Sequence, residues 1–130
     1  MNQNEKNIEN AAVSFLYVIY KTTPIDVLNQ WGIKRYIRFK TEVWKGIESS
    51  DSLQSFLGGY FRYYPVSTIK IVEYLDTIPS DKQDSVFKYL KQNLPILIGR
   101  MQVKAKAEKE ETENNYGVNI GLEMETRIDI

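Results

Sequence analysis

Apolar residues recur every three or four positions along the first 113 residues, and beyond them the period drops to two. The longer period predicts amphipathic helices, the shorter one a strand with one buried face. Ile8, Ala12, Phe15 and Ile19 share one side of a predicted first helix over 4–21. Thr22-Thr23-Pro24 reads as its end, with Thr23 as N-cap and Pro24 as first residue of a short second helix over 24–31. Gly32 suits the left-handed C-cap that would stop it. A third helix over 33–48 buries Ile33, Ile37, Val43, Trp44 and Ile47 and turns Lys34, Arg35, Arg38 and Lys45 outward. Ser49, Ser50 and Asp51 form a turn and supply the next N-cap.

A ring-rich fourth helix over 52–64 is interrupted at Gly58-Gly59 and closed by Pro65. Ser67 is positioned to cap a fifth helix reaching about residue 78. Ser80-x-x-Gln83 has the capping-box spacing that opens a sixth, with Val86, Phe87 and Leu90 inward. Pro95 marks the start of a seventh over 94–113. Its second half is polar, and Lys104–Glu108 and Lys106–Glu110 are opposite charges four residues apart, so it is expected to project into solvent. Segments 33–39 and 66–71 also suit strands, and either would then give the C-terminal segment a partner within the chain, although their periodicity favours helix.

Asn114-Asn115 reads as a hinge into the final segment. There Tyr116, Val118, Ile120, Leu122, Met124, Ile128 and Ile130 fall on one side, joined only by Thr126 among polar residues. A strand this long needs a partner, and almost nothing upstream reads as one. The expected fold is therefore mainly α: a compact bundle of about six or seven helices over 1–113, with a long C-terminal β-strand over 114–130 used in oligomerisation. A homodimer joined by paired tails is the leading assembly. Glu123, Glu125 and Asp129 also leave room for a different protein partner, or for an acidic tail that competes with a polyanion.

Composition narrows the chemistry. The chain has 130 residues, enough for one domain with its own core. It has no cysteine and no histidine, which removes disulfides, thiolate nucleophiles and the commonest general base and metal ligand. The longest apolar run, Ala11 to Tyr20, is half of what a membrane span needs, and the start of the chain lacks a signal-peptide pattern. The expectation is an intracellular, soluble protein.

Net charge is zero but unevenly spread. From Trp31 to Lys70 seven basic residues meet three acidic ones, and nine of the sixteen aromatic residues lie there. Cations that follow phosphates and rings that stack on unpaired bases are the two ingredients of single-strand binding. The predicted phosphate contacts are Lys34, Arg35, Arg38 and Lys45, with Arg62 and Lys70 in the same basic segment. Tyr36, Phe39, Tyr63 and Tyr64 are the stacking candidates, each equally able to be core, whereas Trp44 and Phe56 read as core on helical phase.

Other features carry less. Gly58-Gly59 is followed by Tyr60-Phe61 rather than lysine and a hydroxyl, so the phosphate-loop pattern fails and a close helix contact or a local break is expected. Glu108, Glu110, Glu111 and Glu113 alternate with lysines and read as a solvated face rather than a metal cluster. The serines have no G-x-S-x-G and no histidine to activate them. Neither an enzyme nor a cofactor is expected.

In its lack of cysteine, its Ile, Tyr, Lys and Asn content, its basic-aromatic centre (Trp31 to Lys70) and its distinct tail, the chain resembles the small single-stranded DNA-binding protein of archaeal rod-shaped viruses, which is not an OB-fold. The likeness is one of composition over the whole chain, and no motif aligns to carry a residue's role. It implies a viral protein that binds single-stranded DNA in the host cell. The expected function is sequence-independent single-stranded DNA binding in replication or genome processing. The alternative is a structural or adaptor protein that assembles through its C-terminal strand.

Overall fold

In this computed structural model, residues 2–31 and 43–116 are described, with side chains over 2–27 and 43–110. The helices are α1 (Gln3–Trp31), α2 (residues 43–49), α3 (Leu53–Tyr63), α4 (Pro65–Leu75), α5 (Ser80–Gln92) and α6 (Leu94–Tyr116). No strand occurs among the described residues, so 66–71 is helical, as its periodicity favours. No described helix is long and apolar enough to cross a membrane. The third predicted helix is described only at its C-terminal end. Segment 33–39 and residues 117–130 of the predicted C-terminal strand lie outside the described residues.

α1 runs through the middle of the bundle, packed on α4, α5 and α6, while α3 covers α4 and α5. Its buried positions, Ala12, Phe15, Leu16, Ile19, Tyr20, Thr23 and Val27, keep one helical phase from end to end. Phe15, Phe56 and Phe87 meet at the centre with ring centroids 5.7–6.4 Å apart, in the tilted and edge-on arrangements that aromatic rings prefer.

The break predicted at Thr22-Thr23-Pro24 does not occur: α1 continues through Pro24. Proline inside a helix costs about 3 kcal/mol or more. Here the same turn supplies compensating contacts. Pro24 is buried, and the Thr22 hydroxyl donates to the Val18 carbonyl at 2.6 Å. Thr23, wholly buried, spends its hydroxyl on Tyr60 and Ser67 instead of capping a helix. Asp26, 3% exposed, accepts the backbone N–H groups of Val66 (3.2 Å) and Ser67 (2.8 Å). Asp26 thus fills the helix-capping role at the start of α4 from 40 residues upstream.

That arrangement corrects the predicted fifth helix. Ser67 is not its N-cap. The helix begins at Pro65, and Ser67 lies inside it, wholly buried against Thr22 and Thr23. α4 ends at Leu75, short of Ile78. The Leu75 carbonyl, last in α4, and the Ile78 carbonyl in the turn that follows accept from the Gln83 amide, so Gln83 closes the end of α4 instead of forming a capping box with Ser80. The cap of α3 is Ser52, whose hydroxyl accepts from the Ser55 N–H at 3.1 Å, one residue beyond the predicted turn.

The last helix also differs. α6 runs through Asn114-Asn115 to Tyr116, so the hinge expected there is helical. Its second half does not stand free, because Ala105 is buried and Tyr17 donates its hydroxyl to Glu108. Lys104 places its ammonium 5.2 Å from the centre of the Tyr17 ring. At points two turns apart, α1 and α6 are stitched by Glu9 with Arg100 and by Tyr17 with Glu108.

α3 is likewise continuous across Gly58-Gly59. Neither a close helix contact nor a break explains the pair, since a Cβ at either position would meet nothing within 4 Å. Gly58 is exposed, and glycine in a helix interior costs about 0.8–1.0 kcal/mol relative to alanine. Gly58→Ala is therefore expected to raise stability by about that much in a denaturant titration. A lower stability would mean that the position needs a backbone freedom these contacts do not account for.

Candidate aromatic cleft between two helices

The side chains that the central segment sends inward wall a cleft between α2 and α3. Val43, Gly46, Ser49 and Ser50 form one side, and Ser55, Phe56, Gly59, Tyr60, Tyr63 and Tyr64 the other. Its volume is about 360 Å³, at the small end of the range typical of ligand pockets. The rings are arranged as a graded series. Phe56, Tyr60 and Tyr64 are buried, with centroids 5.0 Å (Phe56–Tyr60) and 4.5 Å (Tyr60–Tyr64) apart. Tyr63, 51% exposed, stands at the mouth with its ring 6.4 Å from that of Tyr64.

Helical spacing explains the wall. Ser55, Phe56, Gly59, Tyr60 and Tyr63 fall at i, i+1, i+4, i+5 and i+8, a single stripe along α3. Opposite them, Val43 and Gly46 are one turn apart on the described end of the third predicted helix. Gly46 and Gly59 therefore face the space from both sides, and each leaves open the volume a side chain would take. The floor is fixed from below, because the Tyr60 hydroxyl bonds to Thr23 in the buried network that also holds Ser67 and Asp26. Burial pushes the Tyr60 phenol far above its ordinary pKa, only partly opposed by its hydrogen bonds to Thr23 and Ser67. It stays neutral and serves as packing.

Among the described residues the lining bears no formal charge; its polar side-chain groups are serine and tyrosine hydroxyls. Ser49 and Ser50 both turn theirs to the Gly46 carbonyl, at 3.3 and 2.7 Å, which closes the end of α2. Lys91 of α5 donates to the Ser50 carbonyl and ties this rim to the rest of the bundle.

Of the residues singled out from the sequence, Tyr63 and Tyr64 line the cleft, but in different roles. Tyr64, 7% exposed, belongs to the core and offers no free face for stacking. Lys45 and Arg62 are exposed on the flanks of α2 and α3, each next in sequence to a lining residue. Lys70 lies on α4, away from the cleft lining, 3.4 Å from Glu73. Phe56 is core and Trp44 is partly buried against it, as helical phase indicates. Lys34, Arg35, Tyr36, Arg38 and Phe39 lie outside the described residues, as do the tail positions Val118, Ile120, Leu122, Met124, Ile128 and Ile130; Tyr116 ends α6. Gly46 carries no signal in the sequence, and Gly59 belongs to the pair expected to mark a close helix contact or a break.

A second surface feature is apolar. Val66, Ile69 and Val72 are 39–53% exposed in one row along α4, and Phe61 of α3 is 55% exposed. Among the described residues no group of three acidic side chains is placed to hold a metal ion. No protein-family model, curated protein or solved structure matches this chain.

Proposed function

We propose that this protein binds single-stranded DNA without regard to sequence, in replication or genome processing. The observation that carries the reading is the α2–α3 cleft, which lies inside the segment richest in cations and rings. An unpaired base is a flat, apolar-faced group with polar edges. A cleft walled by tyrosine and phenylalanine and rimmed by serine hydroxyls suits such a group, and Tyr63 at the mouth offers a ring for stacking. Duplex DNA keeps its bases stacked inside and offers no such group. Lys45 and Arg62 supply positive charge on either flank, and the sequence adds Lys34, Arg35 and Arg38. In this reading Arg38 and its neighbours follow phosphates, and Tyr36 and Phe39 extend the stacking surface.

The test is a titration against single-stranded and duplex oligonucleotides of equal length at two salt concentrations. Single strands should bind more tightly, with log affinity falling against log salt at about −0.7 per phosphate contacted. Gly59→Leu fills the cleft from a position with free space and leaves α3 helical. It is expected to weaken single-strand binding about tenfold, the lower part of the range for losing one stacked base, at a melting temperature no lower than that of the parent, since a helix glycine is replaced. Affinity unaffected by Gly59→Leu would remove the cleft from the site.

A second reading is favoured by the exposed row on α4: a structural or adaptor protein whose activity is assembly. A binder that prefers duplex, or one indifferent to salt, would support it over DNA binding.

A further inference from the structure

The hydroxyls beneath the cleft form a chain whose direction follows from their protons, since each hydroxyl has one to give. Thr22 gives its proton to the Val18 carbonyl at 2.6 Å, so the 2.7 Å contact between Thr22 and Ser67 takes its proton from Ser67. Ser67 then has none left for Thr23, 3.2 Å away, and Thr23 must donate to it. That leaves Thr23 only a lone pair for Tyr60, so the Tyr60 phenol is the donor there. The chain runs from Tyr60 through Thr23, Ser67 and Thr22 and ends on a carbonyl of α1. Ser67 is also a second acceptor within reach of the Tyr60 phenol.

At the head of this chain stands a ring of the cleft. Tyr60 is buried between Phe56 and Tyr64, and its ring lines the cleft from α3. The acceptors are the fixed members. Thr23 is wholly buried in the continuous helix α1, and Ser67 is held through its backbone N–H by Asp26 at 2.8 Å. The phenol is the movable one, at the end of a side chain that turns about two bonds. A buried phenol without an acceptor carries the cost of its lost solvation, and reaching water relieves it. The cleft beside the ring offers both water and room: Tyr63 at its mouth is exposed, and neither Gly46 nor Gly59 puts a side chain into it.

We propose that Thr23 and Ser67 are positioning residues for the cleft: their hydroxyls hold the Tyr60 ring down in its floor, and without them the ring turns into the cleft and fills it. The consequence for binding rests on the reading of the cleft as a base site, whereas the movement of the ring does not. Removing the Tyr60 hydroxyl as well takes away the reason to move, because replacing both partners of a buried hydrogen bond by apolar groups is nearly neutral where removing one is not. The two acceptors and the phenol therefore act with opposite signs.

Tetranitromethane nitrates tyrosines that reach solvent, and mass spectrometry of peptides from the full-length chain locates them. In the parent, Tyr63 should be nitrated and Tyr60 spared. In Thr23→Val with Ser67→Ala, Tyr60 should become reactive while Tyr64, buried beside it, stays spared. Tyr60 spared in the paired variant would overturn the proposal. So would Tyr60 and Tyr64 reacting together, the mark of a loosened core. Thr23→Val alone keeps Ser67 as an acceptor and should give an intermediate rate. It decides the matter if the paired variant does not fold, and a rate equal to the parent's counts against the proposal. Single-strand affinity should fall about tenfold in the paired variant, as for the loss of one stacked base. Adding Tyr60→Phe should restore most of it, a rescue that lost stability alone would not give. A triple variant as weak as the paired one would overturn the positioning role, whereas a parent that binds no single strand removes the base reading and leaves nitration to decide.

Discussion

Tyr64→Ala is expected to cost about 4 kcal/mol of stability, in the range for removing a buried aromatic ring. Tyr64 is 7% exposed, and its ring lies 4.5 Å from that of Tyr60, beneath the cleft. Its neighbour should behave in the opposite way. Tyr63 is 51% exposed, so Tyr63→Ala should shift stability by no more than about 0.5 kcal/mol, as surface substitutions generally do. If Tyr63 stacks on a base, the same change should weaken single-strand binding by about 1–3 kcal/mol. Melts and binding curves on both variants separate the roles. A stable Tyr64→Ala protein would mean that this part of the core can close over the space left. Full affinity in Tyr63→Ala would take the ring at the mouth out of the binding reading.

Asp26→Ala is expected to cost about 3 kcal/mol, the sum of two hydrogen bonds to a charged group with allowance for partial exposure at Val66. Its carboxylate is the acceptor for the first N–H groups of α4 and is itself 3% exposed. With alanine there, the Ser67 N–H is left buried and unpaired, next to hydroxyls already engaged with Thr22 and Thr23. At about 4 °C per kcal/mol for a domain of this size, the melting temperature should fall by about 12 °C. Asp26→Asn keeps one acceptor oxygen and should lose about half as much. A melting temperature unchanged in the alanine variant would show that water replaces the carboxylate, and that the start of α4 is more open than its burial indicates.

The helical architecture was legible because most helices carry their own periodicity. Phe15 and Ile19, or Val86, Phe87 and Leu90, are spaced so that only a helix puts them on one side, and all five are buried. The unbroken passage through Pro24 also left a trace. Val27 lies three turns beyond Leu16 in the same phase, and both are wholly buried. Local rules pointed the other way, because a threonine followed by proline is also what opens a new helix. The trace lost to the rule.

The caps were not legible in the sequence for a related reason. Ser67, Ser80 and Gln83 have the right residue types at the right spacings, yet the donors at the start of α4 are answered by Asp26, and Gln83 answers one carbonyl at the end of α4 and one in the turn after it. A capping group has only to be near in space. Sequence spacing records nearness along the chain alone.

The candidate site divides along the same line. Composition marked residues 31–70 as basic and aromatic, and helical phase alone placed Phe56 in the core. It did not separate Tyr63 from Tyr64, since adjacent residues on a helix point about 100° apart and either could have faced inward. The packing of α3 on α4 and α5 decided that. The glycines show the limit most clearly: Gly46 and Gly59 are thirteen residues apart, each an ordinary helix weakness by itself, and they become the two sides of one cleft only when α2 and α3 are brought together. The sequence by itself determined that the described chain is built of helices, and which of their stripes are apolar, because burial by the hydrophobic effect depends on periodicity that a single segment carries. Tertiary structure alone decided where α1 continues, what caps α4 and which rings share a cleft, because hydrogen bonds and cavities are properties of groups that meet from distant parts of the chain.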